Sequence, residues 1–388
     1  PDPTSEDYIF RLNENIPIFI FMAIIVALFL GLTVSAEEIF RDRKILRREQ
    51  FLNLSKSSYL SSKVLILTII SAIQALLFVL IANSILEIKG MYLEYWFALF
   101  ITALCANMLG LNISASFNSA VTIYIIIPLL MIPMMILSGA MFPFDKLNRS
   151  ISSVEKVPLI AEIMPTKWSY EALMVNQYKN NEFEEYFYEL KKMESQANFK
   201  QVYYIPEIKK SLEYVENNLN AKDDPEVQEK FQEELDLLHN ELGEEAERTV
   251  MPLNAIDKLT LSDMNQQVLE SVKDYISELD KHYQEKFQQA TKKLDNIRSY
   301  LTKKNPKLYR RKKDNYYNES VADQVKKVYE KNKIIRYKDE LIQHIDLIYH
   351  DPEVEGYFNF RSHFFAPRKY FMGNFFNTYW FNMAIIML

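Results

Sequence analysis

Four stretches of this chain carry no charged side chain for about twenty residues each: Ile16 to Ala36, Val64 to Ile85, Trp96 to Phe117 and Ala120 to Phe142. A helix rising about 1.5 Å per residue needs about 20 apolar residues to cross the hydrocarbon layer of a bilayer. One such run could equally be the core helix of a soluble domain; four in succession read as a polytopic membrane bundle. The third run opens on an aromatic edge, Tyr92, Tyr95 and Trp96, as expected at headgroup level. The fourth contains Pro128 and Pro133. A fifth run, Phe375 to Leu388, is led by Tyr379, Trp380 and Phe381.

Basic residues orient the spans. The connection from Glu37 to Lys63 carries Arg41, Arg43, Lys44, Arg47, Arg48, Lys56 and Lys63, whereas Leu86 to Glu94 carries only Lys89. The basic loop is therefore expected on the cytoplasmic side, and everything from Pro143 to about Asn374 outside. Within that loop Ile39, Phe40, Ile45, Leu46, Phe51, Leu52 and Leu54 interleave with charges at helical spacing. Such a helix is either a basic juxtamembrane element at anionic headgroups or a docking element for a cytoplasmic partner.

Averages conceal this segregation. The 388 residues are 49% apolar and 25% charged, and the mean hydropathy is −0.15. The charge lies mainly between Glu182 and Glu355, where apolar stripes recur at helical spacing (Phe231, Leu235, Leu238; Val268, Val272, Ile276, Leu279) and breaks fall at Pro206, Pro225, Pro252, Pro306 and Pro352. This pattern predicts a packed, mainly helical outer domain; the competing reading is partly disordered charged helix. The expected fold class is all-α: a polytopic transmembrane helical bundle with a large, mainly helical extracytoplasmic insertion before the last span. The expected organisation is a bundle over 1–142 (spans about 16–36, 64–85, 96–117 and 120–142, cytoplasmic loop 37–63), an outer interfacial or re-entrant segment over 143–183, an extracytoplasmic helical domain over 184–374, and the start of a final span over 375–388. A chain that opens on Pro1 behind acidic Asp2, Glu6 and Asp7, and stops inside an apolar run, reads as part of a longer polypeptide without a secretory signal.

Several chemistries are excluded. Seven glycines include no phosphate-binding loop and no dinucleotide fingerprint. The single cysteine, Cys105, excludes internal disulfides and multi-cysteine metal sites. A net charge of −6 gives no support for nucleic-acid binding. The five histidines all lie in the outer region; His344 and His350, six apart, do not share a helix face, and no H-E-x-x-H occurs. No catalytic, cofactor or metal site is expected in this chain. Polar residues inside the runs, among them Ser71, Thr102, Asn107 and Tyr124, read as contacts between helices.

Three segments carry a family resemblance. VSAEEIFRDRKILRREQFLNLSKSSYLSSKVL (Val34 to Leu65) resembles the segment after the second transmembrane helix of the ABCG-like (white/pleiotropic drug resistance) type-2 ABC exporters: a closing Glu, a charged coupling helix, then Ser-Tyr-hydrophobic-Lys, matched by Glu38, Arg48, Glu49, Ser58, Tyr59 and Lys63. ILSGAMFPFDKL (Ile136 to Leu147) is similar to the stretch closing the family's fifth helix. MPTKWSYEALMVNQYKNNEF (Met164 to Phe183) is similar to its outer motif through Pro165, Glu171, Ala172, Leu173 and Asn176, with Trp168 and Gln177 departing from it. The resemblance implies helices two to five and the start of six, while a Lys/Glu/Tyr/Asn-rich composition without disulfides suggests a bacterial inner-membrane protein with a periplasmic domain. It implies a coupling helix over Asp42 to Leu54, with Glu38, Arg41, Arg43, Arg47, Arg48 and Glu49 in the coupling and polar-relay surface. It implies a homodimer whose central cavity is lined at Leu28, Gly31, Ile132 and Met135, under an outer plug at Ala140 and Met141. ATP and Mg would be held by an ATPase cassette upstream, not by this chain. The outer region is much longer than the family's last outer loop. Function then reads as the permease part of an ABC exporter moving a hydrophobic or amphipathic substrate by alternating access. The alternatives are an ABC-coupled permease working mechanically on periplasmic partners, or a membrane-anchored structural or receptor protein.

Overall fold

The computed structural model describes residues 8–49, 55–148, 156–222, 224–354 and 356–388. Contacts divide the chain into two compact units. The first holds 1–186, 307–325 and 351–388; the second holds 187–306 and 326–350.

The first unit is built on the apolar runs. Helix α1 (Ile16–Ala36) starts at an Asx turn in which Asn13 Oδ1 accepts from Asn15 N at 3.0 Å, with Pro17 in its first turn. After Glu37 the chain continues as α2 (Glu38–Glu49), followed by α3 (Lys56–Ile85), α4 (Tyr92–Ser116) and α5 (Ala120–Ile136). Three stretches are long and apolar enough to cross a membrane: Ile16–Arg48, which contains α1 and most of α2, then Lys56–Ile85 and Tyr92–Ser116. Helix α5 is shorter. The fourth run, expected to continue to Phe142, is helical for 17 residues, about 25 Å, and closes where Leu137 N bonds back to Pro133 O at 2.9 Å. Gly139 turns the chain at φ +79°, and a Cβ there would stand 2.6 Å from the Phe364 ring.

The α1–α4 contact is the most extensive in the molecule, and small residues make it close. A Cβ on Gly31 would lie 2.6 Å from Ala103 O and 2.7 Å from Ala106 Cβ; one on Gly110 would lie 3.0 Å from Leu32 O. Helices α3 and α4 are joined by polar groups: Asn107 Nδ2 donates to Ser71 Oγ at 2.8 Å, and Trp96 Nε1 to Ala72 O at 3.0 Å. The opposite face of α3, with Leu65, Ile69, Ile73, Leu77 and Ile81, is exposed. A row of that length in water would be strongly unfavourable; in lipid it has no cost.

Beyond α5 come α6 (Leu159–Glu162) and α7 (Pro165–Lys179), the latter buried from Pro165 to Tyr178. The second unit follows with α8 (Tyr188–Phe199), α9 (Ile205–Asn217), α10 (Pro225–Thr249) and α11 (Gln266–Lys304), then α12 (Pro306–Tyr316) and α13 (Glu319–Lys326) return to the first. Phe231, Leu235, Leu238 and Leu242 of α10 meet Val268, Val272, Ile276 and Leu279 of α11 and Ile208, Leu212 and Val215 of α9 in one core. The helical stripes of the sequence thus pack rather than remain solvated.

Strands are few. β1 (Ile334–Tyr337) pairs antiparallel with β2 (Glu340–Gln343), and β3 (Arg368–Phe371) with β4 (Asn374–Asn377). The β3–β4 turn places Met372 and Gly373 at positive φ, the geometry of a two-residue hairpin turn. The fifth apolar run therefore enters as strand and becomes helix only at α14 (Thr378–Met387), capped by Asn377 Oδ1 accepting from Tyr379 N at 2.9 Å.

Candidate coupling surface and buried ion network

At the end of the bundle where α1 gives way to α2, charged side chains converge. Glu38 and Asp42 stand one turn apart on α2, so both carboxylates share a face. Lys63 Nζ of α3 lies 2.6 Å from Glu38 Oε2 and 2.8 Å from Asp42 Oδ2, and Tyr59 OH donates to Asp42 Oδ2 at 2.9 Å. Arg41 closes on Glu38 Oε1 at 3.1 Å. Arg43 reaches the other neighbour. Its guanidinium donates to Ser114 O at 3.1 Å, to Ala115 O at 2.6 Å and to Asn118 Oδ1, satisfying carbonyls that the C-terminal turn of α4 leaves without intrahelical partners. Ser114 Oγ accepts from Phe40 N at 2.9 Å. Tyr124 of α5 donates to Glu37.

Helix α2 is thus tied along one edge to α3 and α4, and Glu37, the residue that joins it to α1, is bonded to α5. On its other side Lys44, Ile45, Arg47 and Arg48 are exposed, and Arg47 and Arg48 have no ion-pair partner among the described residues. Of the anticipated surface, the structure brings Glu38, Arg41 and Arg43 into the network and leaves Arg47 and Arg48 projecting from the last turn. The Glu49 side chain and residues 50–54 lie outside the described residues. Asp42, Ser114 and Asn118 join the network without having been singled out as site residues. The i, i+4 spacing of Glu38 and Asp42 was a visible signal; the α4 partners had none in the local sequence.

The anticipated cavity positions do not share one surface of this chain. Leu28 is fully buried and Gly31 is pressed onto α4, whereas Ile132 is exposed and Met135 half-buried. Ala140 is half-buried and Met141 exposed after the Gly139 turn.

A second charged group lies at the other end of the first unit, enclosed. Lys167 Nζ is 3.0 Å from Glu162 Oε2 and 3.2 Å from Glu171 Oε2. Lys369 Nζ of β3 is 2.6 Å from Glu171 Oε1 and donates to Ser362 Oγ at 2.7 Å. Asn382 Nδ2 of α14 donates to Glu171 Oε2 at 3.0 Å and to Trp168 O at 3.1 Å. Lys167, Glu171 and Lys369 are each at most 1% exposed. Burial pushes the Glu171 carboxyl up, but the two ammonium groups outweigh it and hold the group down at about 2. Glu171 belongs to the outer motif noted in the sequence; Lys369 and Asn382 are about 200 residues away and could not be paired with it from the chain alone.

Residues 3–178 match the family model described as ABC-2 type transporter. An ABC transporter ATP-binding/permease protein of Mycobacterium tuberculosis is 25% identical over 156 residues, covering 38% of this chain and 17% of that protein. The chain therefore spans less than a fifth of the length of this curated relative. No solved structure matches the chain. Charge-free spans, a charged helix clamped across their ends and the match over 3–178 point the same way: this part of the chain is similar to the membrane domain of ABC-2 type transporters.

Proposed function

We propose that this chain is the permease part of an ATP-driven exporter, with α2 as the element that receives force from an ATPase cassette outside these residues. The observation that carries this reading is the two-sided character of α2. One edge is bonded to the ends of α3 and α4, and Glu37, which joins it to α1, is bonded to α5. The other presents Arg47 and Arg48 without an ion-pair partner among the described residues. A push on the free face reaches α3 and α4 at once, because Lys63 and Arg43 transmit it through short, charge-assisted bonds.

In this reading two copies pair about a two-fold axis in a bacterial inner membrane, with the second unit on the periplasmic side. Ile132 and Met135 face the central cavity, and Leu28 and Gly31, packed on α4, form the wall behind them. Ala140 and Met141 lie at its outer mouth. The apolar walls suit a hydrophobic or amphipathic substrate moved by alternating access. ATP and Mg would be bound by the cassette. A permease doing mechanical work on periplasmic partners is a second reading, supported by the separate hydrophobic core of the second unit.

The test is charge reversal on the free face. In the intact transporter R47E/R48E is expected to lower ATP-driven transport at least about tenfold while the bundle's thermal unfolding is unchanged. A cysteine at position 47 is expected to crosslink to the cassette. Full transport in R47E/R48E would refute the role of α2. Transport that survives removal of the second unit would reject the mechanical reading.

A further inference from the structure

The membrane face opposite α2 carries a concentrated positive charge that transport coupling does not use. Helix α12 reads PKLYRRKKDNY, with Lys307, Arg310, Arg311, Lys312 and Lys313 inside seven residues. It belongs to the first unit and is fastened to the segment that leads into α1. Arg11 Nε lies 2.8 Å from Asp314 Oδ1, and Arg11 Nη1 lies 2.5 Å from Glu319 Oε1. Just beyond the helix, Asn318 Nδ2 donates to Phe10 O at 2.8 Å and to Asn13 O at 2.9 Å. Tyr316 rests against Gly90 in the α3–α4 connection. These bonds hold α12 within a few residues of Ile16, where the uncharged run of α1 begins, and so at the level where hydrocarbon gives way to headgroups.

Between α12 and Tyr8 is an open cavity of about 350 Å3 lined by Lys307, Arg310 and Arg311, within the range of small-ligand sites. The one carboxylate in its wall, Asp314, is already engaged by Arg11 at 2.8 Å and stands 3.7 Å from Arg310. Lys307 and Arg311 have no carboxylate partner among the described residues. Tyr8 and Leu308 are each 39% exposed beside these cations. Unpaired cations around a cavity, with apolar surface alongside and the hydrocarbon boundary next to it, complement a group that is anionic at its head and apolar below.

We propose that the cavity beside α12 holds the phosphodiester headgroup of an anionic phospholipid in the leaflet opposite α2. Arg310 and Arg311 offer forked donors to the phosphate oxygens, Lys307 adds a point charge, and Tyr8 and Leu308 cover the glycerol end. The bound lipid would brace the entry to α1 on the side away from the coupling helix.

The experiment measures lipid retention by the intact transporter with native mass spectrometry, using phosphatidylglycerol against phosphatidylcholine in mixed micelles. K307Q/R310Q/R311Q is expected to bind phosphatidylglycerol about 100-fold more weakly, with phosphatidylcholine unchanged. K209Q/K210Q, on an exposed face of α9, is expected to bind both lipids as the unmodified protein does. Millimolar inorganic phosphate is expected not to displace the lipid. If the triple variant lacks a thermal unfolding transition, K307Q/R311Q replaces it, with about a tenfold loss expected. Retention of phosphatidylglycerol by the folded variants would overturn the proposal. Displacement by inorganic phosphate alone would overturn it in favour of a site for soluble phosphate.

Discussion

Glu171 is held by two lysines in a region with no exposed surface, and its worth lies in what its removal would leave behind. Deleting it leaves the buried Lys369 ammonium without a carboxylate partner among the described residues and Lys167 with Glu162 alone, so Glu171→Ala is expected to destabilise the protein by about 3–5 kcal/mol, measured by thermal or denaturant unfolding in detergent. An unchanged transition would mean that water reaches Lys167 and Lys369 freely. Glu241, in the second unit, behaves in the opposite way. Burial pushes its carboxyl up to about 7, only partly countered by the Leu341 N–H at 2.5 Å and the nearby Lys200 ammonium. The folded state thus prefers the protonated acid. Its stabilising contribution is complete below about pH 4.5, where the unfolded chain is also protonated, and is lost as pH rises through about 7. Glu241→Gln is expected to gain on the order of 1–3 kcal/mol relative to the unmodified protein between pH 5 and pH 8. The difference between their unfolding temperatures across that range checks this; a difference independent of pH would contradict it.

At the scale of elements, the α1–α4 pair depends on absent side chains. Gly31 sits where any Cβ would meet Ala103 O, which is backbone and cannot rotate away. Gly31→Val is therefore expected to separate the helices and cost about 1–3 kcal/mol or more, read as a lowered unfolding temperature in detergent. The same substitution on a lipid-facing position such as Ile73, exposed on α3, is expected to cost little. Helix α2 depends on side chains that are present. Lys63 bridges two carboxylates from one α-helical face, and Arg43 caps the end of α4, so α2 is braced in two directions.

At the scale of the molecule, exposed apolar surface on α5 is the feature to explain. Val121, Ile125, Leu129 and Ile132 all face outward in a single chain. Lipid or a second copy would cover them equally well by hydrophobicity. Under the proposed dimer, Ile132→Cys is expected to form an intermolecular disulfide on mild oxidation in membranes, whereas Leu65→Cys, on the exposed face of α3, is not. Equal adduct from both positions would assign the α5 face to lipid.

The apolar runs, the amphipathic α2 segment and the stripes of the second unit could be read from the chain because each is a local property: absence of charge over about twenty residues, or periodicity over three turns. Glu38 could be read for the same reason, standing where an apolar run gives way to a basic helix. The tertiary structure alone decided which charges meet. Lys369 finds Glu171 across 198 residues, Arg43 finds the end of α4, and residues 307–325 leave the charged second half to pack with the first unit. Local sequence carries no mark of these pairings. A buried charge specifies that some partner must exist, because desolvation is costly, but only the folded chain brings a particular partner within about 3 Å.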